Sequence, residues 1–105
     1  MYTNTYDDNN NIIRHRNHRT GYKYTQKFNK FNKVVSYKDS NGVWLRNRYS
    51  KLGHLLYHID STGYEMRYIN LRGKYVMKFE RRGNKSITYE YNKLGGLITT
   101  TSKGI

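Results

Sequence analysis

The sequence predicts an all-β protein: an antiparallel meander of about ten strands, built from five hairpin repeats and strongly curled or barrel-like as a single sheet. Three observations predict it. Glycine recurs at a nearly fixed interval, at Gly21, Gly42, Gly63, Gly83 and Gly104, spaced by 21, 21, 20 and 21 residues. A second marker with the same period lies between those glycines. The composition favours strands: there are 12 Tyr among the 105 residues, Ile, Val and Thr are abundant, and there is no Ala, the best helix former.

The second marker is an aromatic or aliphatic residue, a small polar one, three residues ending in Gly or Asn, one more, and two apolar residues. Its five copies are Tyr6 to Ile13, Phe28 to Val35, Tyr49 to Leu56, Ile69 to Val76 and Tyr91 to Ile98, aligned without a gap. The repeat units are then about 6–27, 28–48, 49–68, 69–90 and 91–105, one repeat domain over residues 1–105.

Each element follows from local chemistry. Asp39-Ser-Asn-Gly42, Asp60-Ser-Thr-Gly63 and Glu80-Arg-Arg-Gly83 put a carboxylate at the start of a tight turn and Gly at its end. The other marker, as in Tyr49-Ser-Lys-Leu-Gly53, places Gly or Asn where the chain needs positive φ. The strands between alternate. Tyr22, Tyr24 and Phe28, then Val43, Leu45 and Tyr49, then Tyr64, Met66 and Tyr68, then Ile87, Tyr89 and Tyr91 form an apolar, aromatic face. Lys23, Thr25 and Lys27, then Trp44, Arg46 and Arg48, then Glu65, Arg67 and Ile69, then Ser86, Thr88 and Glu90 form the opposite one. In the returning strands, Ile12, Val34, Leu55, Tyr75 and Leu97 are expected on the apolar face. Their neighbours Ile13, Val35, Leu56, Val76 and Ile98 are expected as an apolar stripe on the polar face. A sheet with one apolar face must cover it, so it curls on itself; a homodimer stacked face to face is the alternative.

Tyr49-Ser-Lys-Leu-Gly-His-Leu-Leu-Tyr-His-Ile-Asp-Ser-Thr-Gly63 and Tyr91-Asn-Lys-Leu-Gly-Gly-Leu-Ile98 resemble the YD repeat of the Rhs family, and the resemblance covers roughly residues 6 to 105. The family pattern is Tyr-Asp, two residues, Gly-Arg-Leu, then a Gly turn. Here the Asp after the aromatic residue occurs only at Asp7; Asn29, Ser50, Asn70 and Asn92 stand in the other copies, and His54, Lys74 or Gly96 replaces the Arg. The resemblance implies a β-hairpin scaffold. In the family, long arrays wind into shells around a toxin or form cell-surface modules, and five units are too few to enclose another domain. Function must come from the exposed face.

Several classes are excluded. Without Cys there is no disulfide framework, zinc finger or thiol nucleophile. No apolar run approaches the ~18 residues of a membrane span, and the polar start MYTNTYDDNNN does not read as a targeting peptide. A soluble, cytoplasmic protein without membrane attachment is expected. Rich Asn, Lys, Tyr and Ile without Ala or Pro is what AT-rich codons give, as in a phage or low-GC bacterial gene; for a phage protein the compartment is the host cytoplasm.

Charge points to partners. The chain carries 20 Lys+Arg against 7 Asp+Glu, a net charge of +13. Between Asn9 and Lys38 there are eight cations and no carboxylate: Arg14, Arg16, Arg19, Lys23, Lys27, Lys30, Lys33 and Lys38. Arg14 to Arg19 is expected at the end of the first hairpin. Lys23, Lys27, Arg46, Arg48 and Arg67 are expected on one face, with Trp44 and Tyr37 among them. Cations hold phosphates and aromatic rings stack bases, so the candidate nucleic-acid-binding residues are Arg14, Arg16, Arg19, Lys23, Lys27, Trp44, Arg46, Arg48 and Arg67. The partner expected is RNA or single-stranded DNA. The alternative is a phage-type accessory, anti-defence protein that docks on an acidic protein or ribonucleoprotein complex of the host.

Catalysis, cofactor and metal are not expected. Glu65 and Glu90 are unmatched, and His54 and His58, four apart on a strand, stand roughly 13 Å apart, too far to share an ion. His15 and His18 point to opposite faces of an extended strand. Phosphate-binding and nucleophile-elbow glycine motifs are absent.

Overall fold

The computed structural model describes residues 1–104. It contains β1 (Tyr2–Tyr6), β2 (Ile12–Asn17), β3 (Lys23–Phe28), β4 (Val34–Asp39), β5 (Trp44–Tyr49), β6 (Leu55–Asp60), β7 (Tyr64–Leu71), β8 (Lys74–Arg82), β9 (Lys85–Tyr91) and β10 (Leu97–Lys103). The strands are hydrogen-bonded in chain order as one antiparallel meander. The first strand starts ahead of the first repeat unit read from the sequence. Two compact units divide the chain, Met1–Asn47 and the residues from Arg48 onward.

The repeat marker is a loop that carries its own cap. Asp7 accepts the N–H groups of Asn9 and Asn11 at 2.9 Å each. Asn29 does the same for Phe31 and Lys33, Ser50 for Leu52 and His54, and Asn92 for Leu94 and Gly96, at 2.9 to 3.3 Å. The third residue after each cap is left-handed: Asn10, Asn32, Gly53 and Gly95 have φ of 65°, 59°, 90° and 90°. Asp, Asn and Ser all offer a side-chain oxygen at this position, so the Asp of a Tyr-Asp pattern can change without loss of the loop. Asp39 builds the same cap over Asn41 and Val43.

Two turns differ from expectation. The β7–β8 connection is a two-residue turn, with Leu71 opposite Lys74 and with Arg72 and Gly73 at φ of 56° and 84°. Left-handed φ at both central residues gives the twist that a tight hairpin needs. Glu80 is not in a turn. It lies inside β8 and accepts the Tyr64 hydroxyl at 2.9 Å, while the chain reverses beyond Arg82, which pairs with Lys85.

The apolar pairs sit at register shifts. Tyr6 is opposite Ile12 while Thr5 is opposite Arg14, leaving Ile13 as the extra residue. Val35 and Ile98 are extra in the same way opposite Phe28 and Tyr91. A bulge resets the alternation by one residue. Ile12 therefore shares the face of its partner Tyr6, and Ile13 shares the face of His15. Both members of these pairs belong to the aromatic face, so the apolar stripe expected on the polar face is not formed by Ile13, Val35 or Ile98. In β8 the extra residue is Lys78 instead, and Val76 pairs with Ile69 on the polar face.

In residues 1–47 the aromatic face is held laterally. His15 stacks on Tyr24 at 5.0 Å between centroids, Tyr24 stacks on Tyr37 at 5.5 Å, and Tyr2 leans on His15 at 5.3 Å. The Tyr22 and Tyr37 hydroxyls lie 2.8 Å apart and both donate to Asp39. Burial, aided by these bonds, pushes the Tyr37 hydroxyl well above the usual tyrosine range. In the unit from Arg48 onward, Glu65 is the buried charge at 5% exposure. It accepts bonds from the Tyr57 hydroxyl at 2.7 Å, from Arg81 at 2.8 Å and from Arg67 at 3.2 Å. No hydrophobic side chain among the described residues is fully buried.

Candidate nucleic-acid interface

The registers of β1 to β5 fix which cations share a face. Across the sheet, Thr5 is opposite Arg14, Arg14 opposite Thr25, Thr25 opposite Lys38, and Lys38 opposite Trp44. One row along, Thr3 faces Arg16 and Arg16 faces Lys23. On the other side, Lys27 faces Ser36 and Ser36 faces Arg46. Neighbours across strands stand about 4.8 Å apart, and neighbours along a strand on one face about 6.7 Å. The result is a grid of Arg14, Arg16, Lys23, Lys27, Lys38 and Arg46 interleaved with hydroxyl groups, each cation exposed. The Arg46 guanidinium lies 5.7 Å from the centroid of the Trp44 ring.

The grid lines two adjoining depressions. One, of about 660 Å³, is bordered by Thr3, Thr5, Arg14, Arg16, Lys23 and Lys38 among others. The second, of about 460 Å³, is bordered by Lys27, Ser36, Trp44 and Arg46, and shares Thr25 and Lys38 with the first. Asp39 also borders the first depression. Its carboxylate is engaged elsewhere: burial alone would raise its pKa, but bonds from Tyr37, from the Val43 and Asn41 N–H groups and from Tyr22 outweigh that and hold it below the usual carboxylate value. No Asp or Glu stands on the three rows.

The nine candidate residues divide. Arg14, Arg16, Lys23, Lys27, Trp44 and Arg46 are brought together on this face. Arg19 lies in the turn after β2, where its N–H and that of Thr20 bond the Asn17 side chain. Arg48 and Arg67 belong to the unit from Arg48 onward. Arg67 is committed within it: its guanidinium bonds Glu65 and lies 5.5 Å from the Tyr57 ring and 5.6 Å from the Phe79 ring. Tyr37 is on the aromatic face, opposite Gln26 and Leu45.

Sequence reasoning left out Lys38 and the hydroxyl partners. Strict alternation from Val35 puts Tyr37 on the polar face and Lys38 on the apolar one; the bulge at Val35 reverses both. The signal was present in the run of cations from Arg14 to Lys38, which the alternation of β4 alone does not place.

His54 stacks on Tyr75 at 4.3 Å and His58 pairs with Asp60 at 2.7 Å. Among the described residues no three His, Asp or Glu side chains group to hold a metal ion, and no helix is long and apolar enough to cross a membrane. Comparison with protein-family models gives no match, and comparison with curated proteins gives none either.

Proposed function

We propose that this chain is a small basic module that binds RNA or single-stranded DNA through the grid on β2 to β5. The observation that carries the reading is the register itself: six cations on one face of residues 1–47, on rows that hold no carboxylate. A patch of this kind binds phosphates with little sequence preference and strong salt dependence. A net charge of +13 exceeds what solubility alone calls for. The scaffold is read as a short array of hairpins like the YD repeat of the Rhs family.

The test is binding of a fluorescein-labelled oligouridylate, read by anisotropy at low salt. The double variant Arg14→Glu/Arg16→Glu is expected to lose binding while its circular dichroism stays unchanged. Unchanged affinity overturns the assignment. If the wild type binds no oligonucleotide, and captures from host lysate an acidic protein that survives nuclease treatment, the accessory role on a protein surface replaces this reading.

A further inference from the structure

We infer that the bound polynucleotide lies across the strands rather than along one, with a base at the Trp44–Arg46 end. This rests on the nucleic-acid reading above and deepens it. The two depressions adjoin at Thr25 and Lys38, which line both, and their lining residues together run from β1 to β5 over Arg14, Thr25 and Lys38 to Trp44. Along this path cationic and hydroxyl side chains alternate. A phosphate carries several acceptor oxygens, so an Arg or Lys and a neighbouring Thr can serve the same group.

The chemistry changes at the β5 end. Trp44 is the one aromatic residue on these rows, 36% exposed, and the Arg46 guanidinium lies over it. Indole and guanidinium are both planar surfaces on which a base stacks. A duplex keeps its bases paired and stacked on each other, so it meets the cations but offers nothing to Trp44. The ligand class that uses the whole path is therefore a single strand with its bases unpaired.

Trp44 is the only tryptophan of the chain, so its emission reports this end alone. The experiment follows anisotropy and tryptophan emission together, with oligouridylate, with the same strand annealed to oligoadenylate, and with an abasic strand of the same length. Saturable quenching by oligouridylate is expected, with little or none from the duplex or the abasic strand. Trp44→Ala is expected to weaken oligouridylate binding about five- to a hundredfold, and Trp44→Phe to restore most of it. Equal affinity for single strand and duplex, with Trp44 emission unchanged, overturns the path while leaving the nucleic-acid reading intact. No anisotropy change with any strand overturns the nucleic-acid reading itself. The wild-type quenching decides the matter even if Trp44→Ala does not fold.

Discussion

The Tyr57 hydroxyl donates a 2.7 Å hydrogen bond to the Glu65 carboxylate, although Tyr57 lies directly opposite Arg67 in the register of β6 and β7. The two arginines on Glu65 are about half exposed, so their ion pairs contribute little in water. The buried carboxylate and its tyrosine donor carry most of the effect. Glu65→Gln is expected to cost about 1–3 kcal/mol at neutral pH, read as a lower urea midpoint.

Acid should destabilise the same unit. The Tyr57 bond holds Glu65 below its usual 4.5. At Asp60, burial acts upward, but bonds from the Thr62 hydroxyl, from His58 and from the Thr62 N–H outweigh it and hold the carboxyl at about 2, against an ordinary 3.8. Folded pKa values below the unfolded ones mean stability that is present above the unfolded values and lost as pH falls through the folded ones. The urea midpoint of the wild type is expected to fall as pH drops from about 4.5 to about 2. Glu65→Gln should show a shallower fall over the upper part of that range.

The capped loops make a conservative swap separable from a disruptive one. Asn29 accepts from Phe31 at 2.9 Å and Lys33 at 3.1 Å. Asn29→Asp keeps the acceptor and should leave the thermal midpoint nearly unchanged. Asn29→Ala leaves both N–H groups to water and should cost about 1–2 kcal/mol.

At the β7–β8 turn, Arg72 holds φ of 56° without the freedom of glycine. Asn tolerates this region better and is favoured in such turns. Arg72→Asn is expected to raise stability by about 0.5–1 kcal/mol, even though it removes the bond from Arg72 to the Lys93 carbonyl. A lower thermal midpoint would show that this bond outweighs the backbone term.

Lys38 is central to the grid, between Thr25 and Trp44. If it neutralises one phosphate of a single strand, Lys38→Ala should reduce the slope of log affinity against log salt by about 0.7. The relative affinities for different sequences should not change.

Much of the fold was legible because glycine and loop-cap positions repeat with one period, and because turn chemistry is local. The face of β3 and β5 could be read from alternation between Lys23 and Phe28 and between Trp44 and Tyr49. The face of β4 could not. A register shift at Val35 depends on how the strand pairs with β3, which no single strand reveals, and one residue of slip reverses Tyr37 and Lys38. Nor could the surroundings of Arg67 be read. Its charge is visible in the sequence, but its commitment to Glu65 and to the Tyr57 and Phe79 rings depends on strands β6 and β8 beside it.

Strictly sequential strand pairing also sets how the molecule assembles and comes apart. Each strand finds its partners immediately before and after it in the chain, so no distant segments must meet before the first hydrogen bonds form. Structure can start at any hairpin and spread to the next, and stability approximates a sum of unit and nearest-neighbour terms. The terminal strands β1 and β10 each have one neighbour and are exposed at every residue. Their amides should exchange with solvent earliest, and opening should propagate inward from the two ends rather than strike the whole chain at once.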